Sequence, residues 1–196
     1  LVCRVPKPNE LLKMGDVKLA VLGGRGTGKS ALTVRFLTKR FIGEYASNFG
    51  KLLLYTSILN IPFKDSNFEF QTRFDSQKAK GSLTSDLHWA DGFVIVYDIS
   101  NRPSFAFAKA LIYRIREPPM THCKRVMEPA VVLVGNKQDL CHMREVGWDE
   151  GQKLATDYRC QFCELSAAEQ SLEIEVMFLR LIKDILMIFK HKEKRR

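Results

Sequence analysis

The residues best suited to chemistry stand in one run, Gly23-Gly24-Arg25-Gly26-Thr27-Gly28-Lys29-Ser30, a G-x-x-x-x-G-K-S pattern. Glycines let a chain turn so that successive backbone N–H groups point inward at phosphate oxygens, and a helix starting after the loop adds its positive end. In such a loop Lys29 reaches the outer phosphates and the Ser30 hydroxyl binds Mg2+, with Ala31 closing the set. The competing reading is a glycine-rich turn that holds no ligand. The loop alone leaves ATP and GTP open, and with them kinase, ATPase and switch. A second run, Asn136-Lys137-Gln138-Asp139, narrows the choice. A carboxylate at Asp139 can accept from both the ring N–H and the exocyclic amine of guanine, whereas adenine lacks that donor pair and leaves the charge unpaired. Asn136 can bond the base and brace its loop, and the Lys137 stem can lie over the ring. Taken alone, this second run reads better as a solvated turn after a strand.

Elements must carry these loops to one place. Asp16 to Leu22 alternates Val17, Leu19 and Val21 with Lys18 and Ala20 and ends in Gly23-Gly24, which predicts a strand running into the loop. Lys29 to Arg40 has a helical stripe of Ala31, Leu32, Val34, Phe36 and Leu37. Lys51 to Ile61 and the alternating Phe68, Phe70, Thr72 and Phe74 flank turn chemistry at Pro62 to Asn67, which predicts a hairpin. Phe93 to Tyr97 and Ala130 to Val134 are short β-branched runs that suit strands buried on both faces of a parallel sheet. Gln161 to Leu165 is a further strand. Pro103 to Arg116, Trp148 to Tyr158 and Ser171 to Phe189 predict helices, the last with Leu172, Val176, Leu179 and Ile182 as its core stripe. Strands alternating with helices predict a doubly wound α/β domain.

With the phosphate loop and Asn136-Lys137-Gln138-Asp139 in this order, the chain resembles the Ras-type small GTPases. Trp89-Ala90-Asp91-Gly92-Phe93 running into Val94 to Ile99 is similar to the family's central strand, and Ser166-Ala167-Ala168 to its last guanine loop. The resemblance implies a P-loop NTPase fold of Ras-like type: a mostly parallel, six-stranded sheet with helices on both faces. It also implies GTP and GDP as ligands with Mg2+ as cofactor. By the same resemblance, the last guanine loop gives a backbone N–H to the base oxygen and Phe41 lies against the guanine edge.

The departures from the family fall on its switches. Asn48 stands where the family has the Thr that ligates Mg2+ and the terminal phosphate, counting from Phe41 and Tyr45. The second switch reads Phe74-Asp75-Ser76-Gln77-Lys78 and lacks the phosphate-sensing Gly. Asp75 is the candidate for the second magnesium role. Gln77 is the candidate for orienting water, but it follows by two residues where the family's Gln follows by four. Arg25 replaces a small Gly. Its side chain would either crowd the attacking water and a partner's arginine finger, or lend a cation to the triphosphate. The segment Gly50 to Phe74 keeps a hairpin pattern without the family's residues. These features imply a guanine-nucleotide switch with slow or impaired hydrolysis. The alternative is a pseudo-GTPase that binds nucleotide as an interaction module without switching, and a P-loop kinase or ATPase is a distant third.

The chain has 196 residues, enough for one full-sized domain, and a net charge of +9. The last seven residues, Lys190 to Arg196, hold +4 of that and residues 1–14 hold +2. This divides the chain into an N-terminal extension at 1–14, a nucleotide-binding domain at 15–189 and a basic tail at 190–196. The domain between the ends carries too little excess charge for a nucleic-acid surface. The tail has no Cys for a prenyl group, and basic groups contribute about 1 kcal/mol each at an anionic leaflet, so at most weak reversible membrane contact is expected. A nuclear-import patch fits it as well as membrane contact does, and a solvated helix end fits it best. Five scattered cysteines and no signal-like segment predict a reduced, cytoplasmic chain. Cys160 and Cys163 straddle a strand and read as structural. A monomer is expected, with guanine nucleotide and unidentified effector or regulator proteins as partners.

Overall fold

Val17, Leu19 and Val21 point to one side of the first strand and Ala20 and Leu22 to the other, and all five are buried. The computed structural model describes residues 17–40, 55–60, 67–74, 89–116, 128–169 and 171–193, with 55–60 and 67–74 described by their backbone. Among these residues the strands β1 (Val17–Gly23), β2 (Tyr55–Asn60), β3 (Asn67–Phe74), β4 (Gly92–Asp98), β5 (Ala130–Asn136) and β6 (Gln161–Glu164) form one sheet. Its order is β2-β3-β1-β4-β5-β6. β2 and β3 pair antiparallel, as the hairpin pattern predicts, and every other pairing is parallel.

The two-sided burial explains why β4 and β5 read as unbroken apolar runs. Val94, Val96, Val132 and Val134 join one core cluster, and Phe93, Ile95, Tyr97, Val131 and Leu133 join the other. The first cluster is closed by the helices α1 (Lys29–Thr38) and, as the last of the four α-helices among the described residues, α4 (Ser171–Glu193). Phe36 of α1 stacks on Phe178 of α4 with ring centroids 4.2 Å apart. The second cluster is closed by α2 (Arg102–Arg116), through Ala108, Leu111, Ile112 and Ile115, and by α3 (Trp148–Asp157), through Leu154 and Ala155. The doubly wound α/β expectation therefore holds, with helices on both faces.

Two helix expectations are corrected. α1 stops at Thr38, because Lys39 takes a left-handed backbone (φ 59°) and returns its N–H to the Arg35 carbonyl. In α4 the buried stripe is Ile174, Met177, Phe178, Leu181, Ile182, Ile185 and Leu186. Of the residues expected there, Ile182 is buried and Leu179 half-buried, while Leu172 is 70% exposed and Val176 lies at the surface. The helix is apolar around much of its circumference, so periodicity allowed two faces. Contact with Phe36 and the sheet selected the one centred on Phe178.

Candidate functional site

β1 and β4 lie side by side, yet the chain leaves them in opposite directions, toward β3 after the first and toward β5 after the second. Ligands of open α/β sheets bind outside the carboxyl ends of the strands at such a point. The glycine loop follows β1 there. Gly23 has φ 152°, and a Cβ on it would stand 2.1 Å from the Val96 carbonyl oxygen of the neighbouring strand. Gly28 has φ 89°, and a Cβ on it would stand 2.1 Å from the Asn136 amide nitrogen. Both positions require the absence of a side chain.

Inside the loop, the Thr27 hydroxyl donates to the Gly24 carbonyl at 2.9 Å. The Lys29 ammonium donates to the carbonyls of Gly23 (2.9 Å) and Gly24 (2.6 Å), which folds its stem back across the loop. Ser30 is half-buried beside it in the first turn of α1. No side chain caps that helix and no acidic residue sits in its first turn, so its positive end is left to an anion. Arg25 is exposed at the crest, next to Gly26, around whose Cβ position nothing lies within 4 Å.

The second motif closes on the first. Asn136, the last residue of β5, is 1% exposed. Its Nδ2 donates to the Thr27 carbonyl at 2.8 Å, and its Oδ1 accepts the Ala167 N–H at 3.1 Å. One amide thus ties the glycine loop after β1 to the loop after β6. Ser166 donates to Asp139 Oδ1 at 2.6 Å and accepts the Ala168 N–H at 3.1 Å, which orients the carboxylate. Lys137 has a left-handed backbone (φ 67°) and reaches Asp98 Oδ2 at 2.6 Å.

Hydrogen bonds and chain neighbours therefore bring together Gly23, Gly24, Thr27, Lys29, Asn136, Asp139, Ser166, Ala167 and Ala168, with Lys137 tied to the end of β4 through Asp98 and with Arg25, Gly26, Gly28, Ser30 and Ala31 adjoining in the chain. Phe41, Asn48, Asp75 and Gln77 lie outside the described residues.

One site residue was not assigned a role from the sequence. Asp98 ends the apolar FVIVYD strand and is 7% exposed. Burial acts to raise its carboxyl, but bonds from Lys137 and Ser100 outweigh that and hold it below its ordinary value. A carboxylate that closes a buried strand must find a partner, and that was the available signal. Elsewhere, burial pushes the Cys163 thiol up to about 12 and raises that of Cys160, which suits packing rather than reactivity. Among the described residues no group of three His, Cys, Asp or Glu is placed to hold a metal ion.

A glycine loop between strand and helix, an Asn-Lys-Gln-Asp run after a parallel strand of the same sheet and this strand order define the Ras-like P-loop NTPase fold. The family model described as Ras family matches residues 18–187, and the chain belongs to that family. It is similar to the Ras-related and estrogen-regulated growth inhibitor-like protein of Bos taurus, 72% identical over 184 residues, covering 93% of this chain and 89% of that protein. The Homo sapiens protein of the same name is 72% identical over 167 residues, covering 85% and 80%. More distantly, Ras-like protein family member 11A of Mus musculus is 36% identical over 202 residues, covering 100% and 81%. No helix among the described residues is long and apolar enough to cross a membrane.

Proposed function

We propose that the chain binds GDP and GTP with Mg2+ and acts as a signalling switch that hydrolyses GTP slowly. The observation that carries this reading is the Asn136 amide, which couples a phosphate-type loop to the loop that faces the base through two bonds of 2.8 and 3.1 Å. A phosphate site built only for ATP has no use for Asp139, whose carboxylate is already turned by Ser166 and matches the two donors of guanine.

In this reading the loop N–H groups and the end of α1 hold the phosphates. Lys29 keeps its contacts to the Gly23 and Gly24 carbonyls and adds the outer phosphates. Ser30 is the described residue suited to hold Mg2+, a hard cation that takes oxygen ligands; when bound, the ion neutralises charge building on the transferring phosphoryl group. The Ala167 N–H, 3.1 Å from Asn136 Oδ1, is the backbone donor a base oxygen would share. Arg25, exposed at the crest of the loop, crowds the space in which water or a partner's arginine would approach the terminal phosphate. That is the source of slow turnover.

Titration with mant-GDP and mant-ADP tests the assignment. A guanine preference of at least about a hundredfold that is lost in Asp139→Ala is expected. Equal binding of both nucleotides, or unchanged affinity in Asp139→Ala, overturns it. A second reading, nucleotide binding without switching, is favoured by Asn48 and by the missing Gly after Asp75.

A further inference from the structure

We propose that Asp98 is a positioning residue for the nucleotide base, holding Lys137 so that its stem lies ready over the guanine ring. The proposal rests on the guanine reading above.

Asp98 stands at the carboxyl end of β4, on the strand next to the glycine loop, and pairs in register with Asn136. Its backbone is fixed first: its N–H donates to Ser104 Oγ at 3.0 Å, and that hydroxyl donates onward to the Asn101 carbonyl at 2.7 Å. Its carboxylate is fixed next. Oδ1 accepts both the N–H (2.9 Å) and the hydroxyl (2.6 Å) of Ser100. That leaves Oδ2 facing the Lys137 ammonium at 2.6 Å.

Lys137 is held from its other end too. Its left-handed backbone turns the chain from β5 into the 3-10 helix Gln138–Met143, and its carbonyl accepts the Leu140 N–H at 2.8 Å. With backbone and ammonium both anchored, the methylene stem between them has few paths. It runs from the loop after β5 to the carboxyl end of β4. A lysine without that anchor spreads over many rotamers, and a ligand that uses its stem must freeze them. Here the ordering is done before the ligand arrives, which lowers the cost of binding. The motif that reads the base is thus completed by a residue 39 positions before Lys137, on another strand and outside the motif itself.

The test is the release of mant-GDP from the full chain, chased with excess GDP, in Asp98→Asn, Lys137→Met and the double variant. Asn keeps the shape and an acceptor for Ser100 but lacks the charge. Each single variant is expected to release mant-GDP about tenfold faster, the scale of one charged hydrogen bond, with the double variant no faster than either single one. Ser100→Ala, which removes one donor to the carboxylate without entering the core, should accelerate release about two- to threefold, and it decides the matter if Asp98→Asn does not fold. Thermal melting of the nucleotide-free chains separates positioning from plain stability. Release rates that multiply in the double variant, or that stay at the wild-type value while melting falls, overturn the role of Asp98. Wild-type chain that does not bind mant-GDP overturns the guanine reading and this role together. Wild-type binding that Asp139→Ala abolishes and Asp98→Asn leaves unchanged overturns this role alone.

Discussion

Single residues in this chain are constrained by what lies at the tip of a neighbour. Tyr97 is fully buried, its ring edge-on to Phe105 at 4.9 Å, and its hydroxyl has no hydrogen-bond partner among the described residues. A Cβ on Gly135 or on Gly151 would stand 2.8 and 2.7 Å from that oxygen, so two glycines make room for it. Burial, aided by nearby Glu164, pushes its ionisation far above the ordinary tyrosine value, so the group is a neutral hydroxyl at any physiological pH. An unpaired buried hydroxyl costs about 1 to 3 kcal/mol. Tyr97→Phe is therefore expected to leave the chain as stable as wild type or more stable by up to about 1 kcal/mol, since the small void left behind offsets part of the gain. Urea denaturation measures this, and a clear loss of stability would show that the hydroxyl contributes to the fold. The same scale explains what could be read of the site in advance. The types of Lys29, Ser30, Asn136 and Asp139 announce their chemistry wherever they stand. Asp98 does not, because a carboxylate at the end of a strand acquires meaning only from the ammonium that meets it.

At the scale of elements, the site depends on one helix that supplies two of its residues and on others that only brace it. α1 carries Lys29 and Ser30 at its first turn and is pressed to the sheet by Leu32 and Phe36, the latter stacked on Phe178. Truncating a buried aromatic costs about 3 to 5 kcal/mol. Phe178→Ala is expected to lower stability by that amount and also to weaken nucleotide binding, because α1 loses the surface that sets its angle to β1. Calorimetry with and without GDP checks both effects. A loss of stability with unchanged GDP affinity would mean that the loop holds the helix start by itself. On the opposite face, Arg102 at the start of α2 grips Glu150 in α3 through two bonds of 2.9 and 2.8 Å, and Arg144 grips Glu164 in the same forked manner at 2.8 and 2.7 Å. These forks fix the segments that follow β4 and β5, and hence the ends of the strands that bear Asp98 and Asn136. Strand and helix positions were legible because parallel strands buried on both faces must be apolar throughout. The face of α4 was not, because Leu172 and Val176 are as apolar as Ile174 and Phe178 and only the location of Phe36 distinguishes them.

For the whole molecule the open choice is between a switch and a static nucleotide-binding module. A switch couples the terminal phosphate to segments that reorder, so amide exchange across residues 44–80 should differ between the GDP form and the form bound to a non-hydrolysable GTP analogue. Identical exchange in both forms would favour the static module. The excess charge does not bear on this choice, because +6 of the +9 resides in residues 1–14 and 190–196. The glycine loop, the Asn136-Lys137-Gln138-Asp139 run, the alternation of strands and helices and the hairpin were all legible in the sequence, because each follows from local chemistry, glycine conformation or periodicity along a few residues. Folding alone makes one Asn136 amide join loops 109 and 31 residues away, lets Ser166 meet Asp139 and brings Lys137 to Asp98. These contacts arise where parallel strands end at a common edge, and a parallel sheet brings together residues that no local pattern along the chain relates.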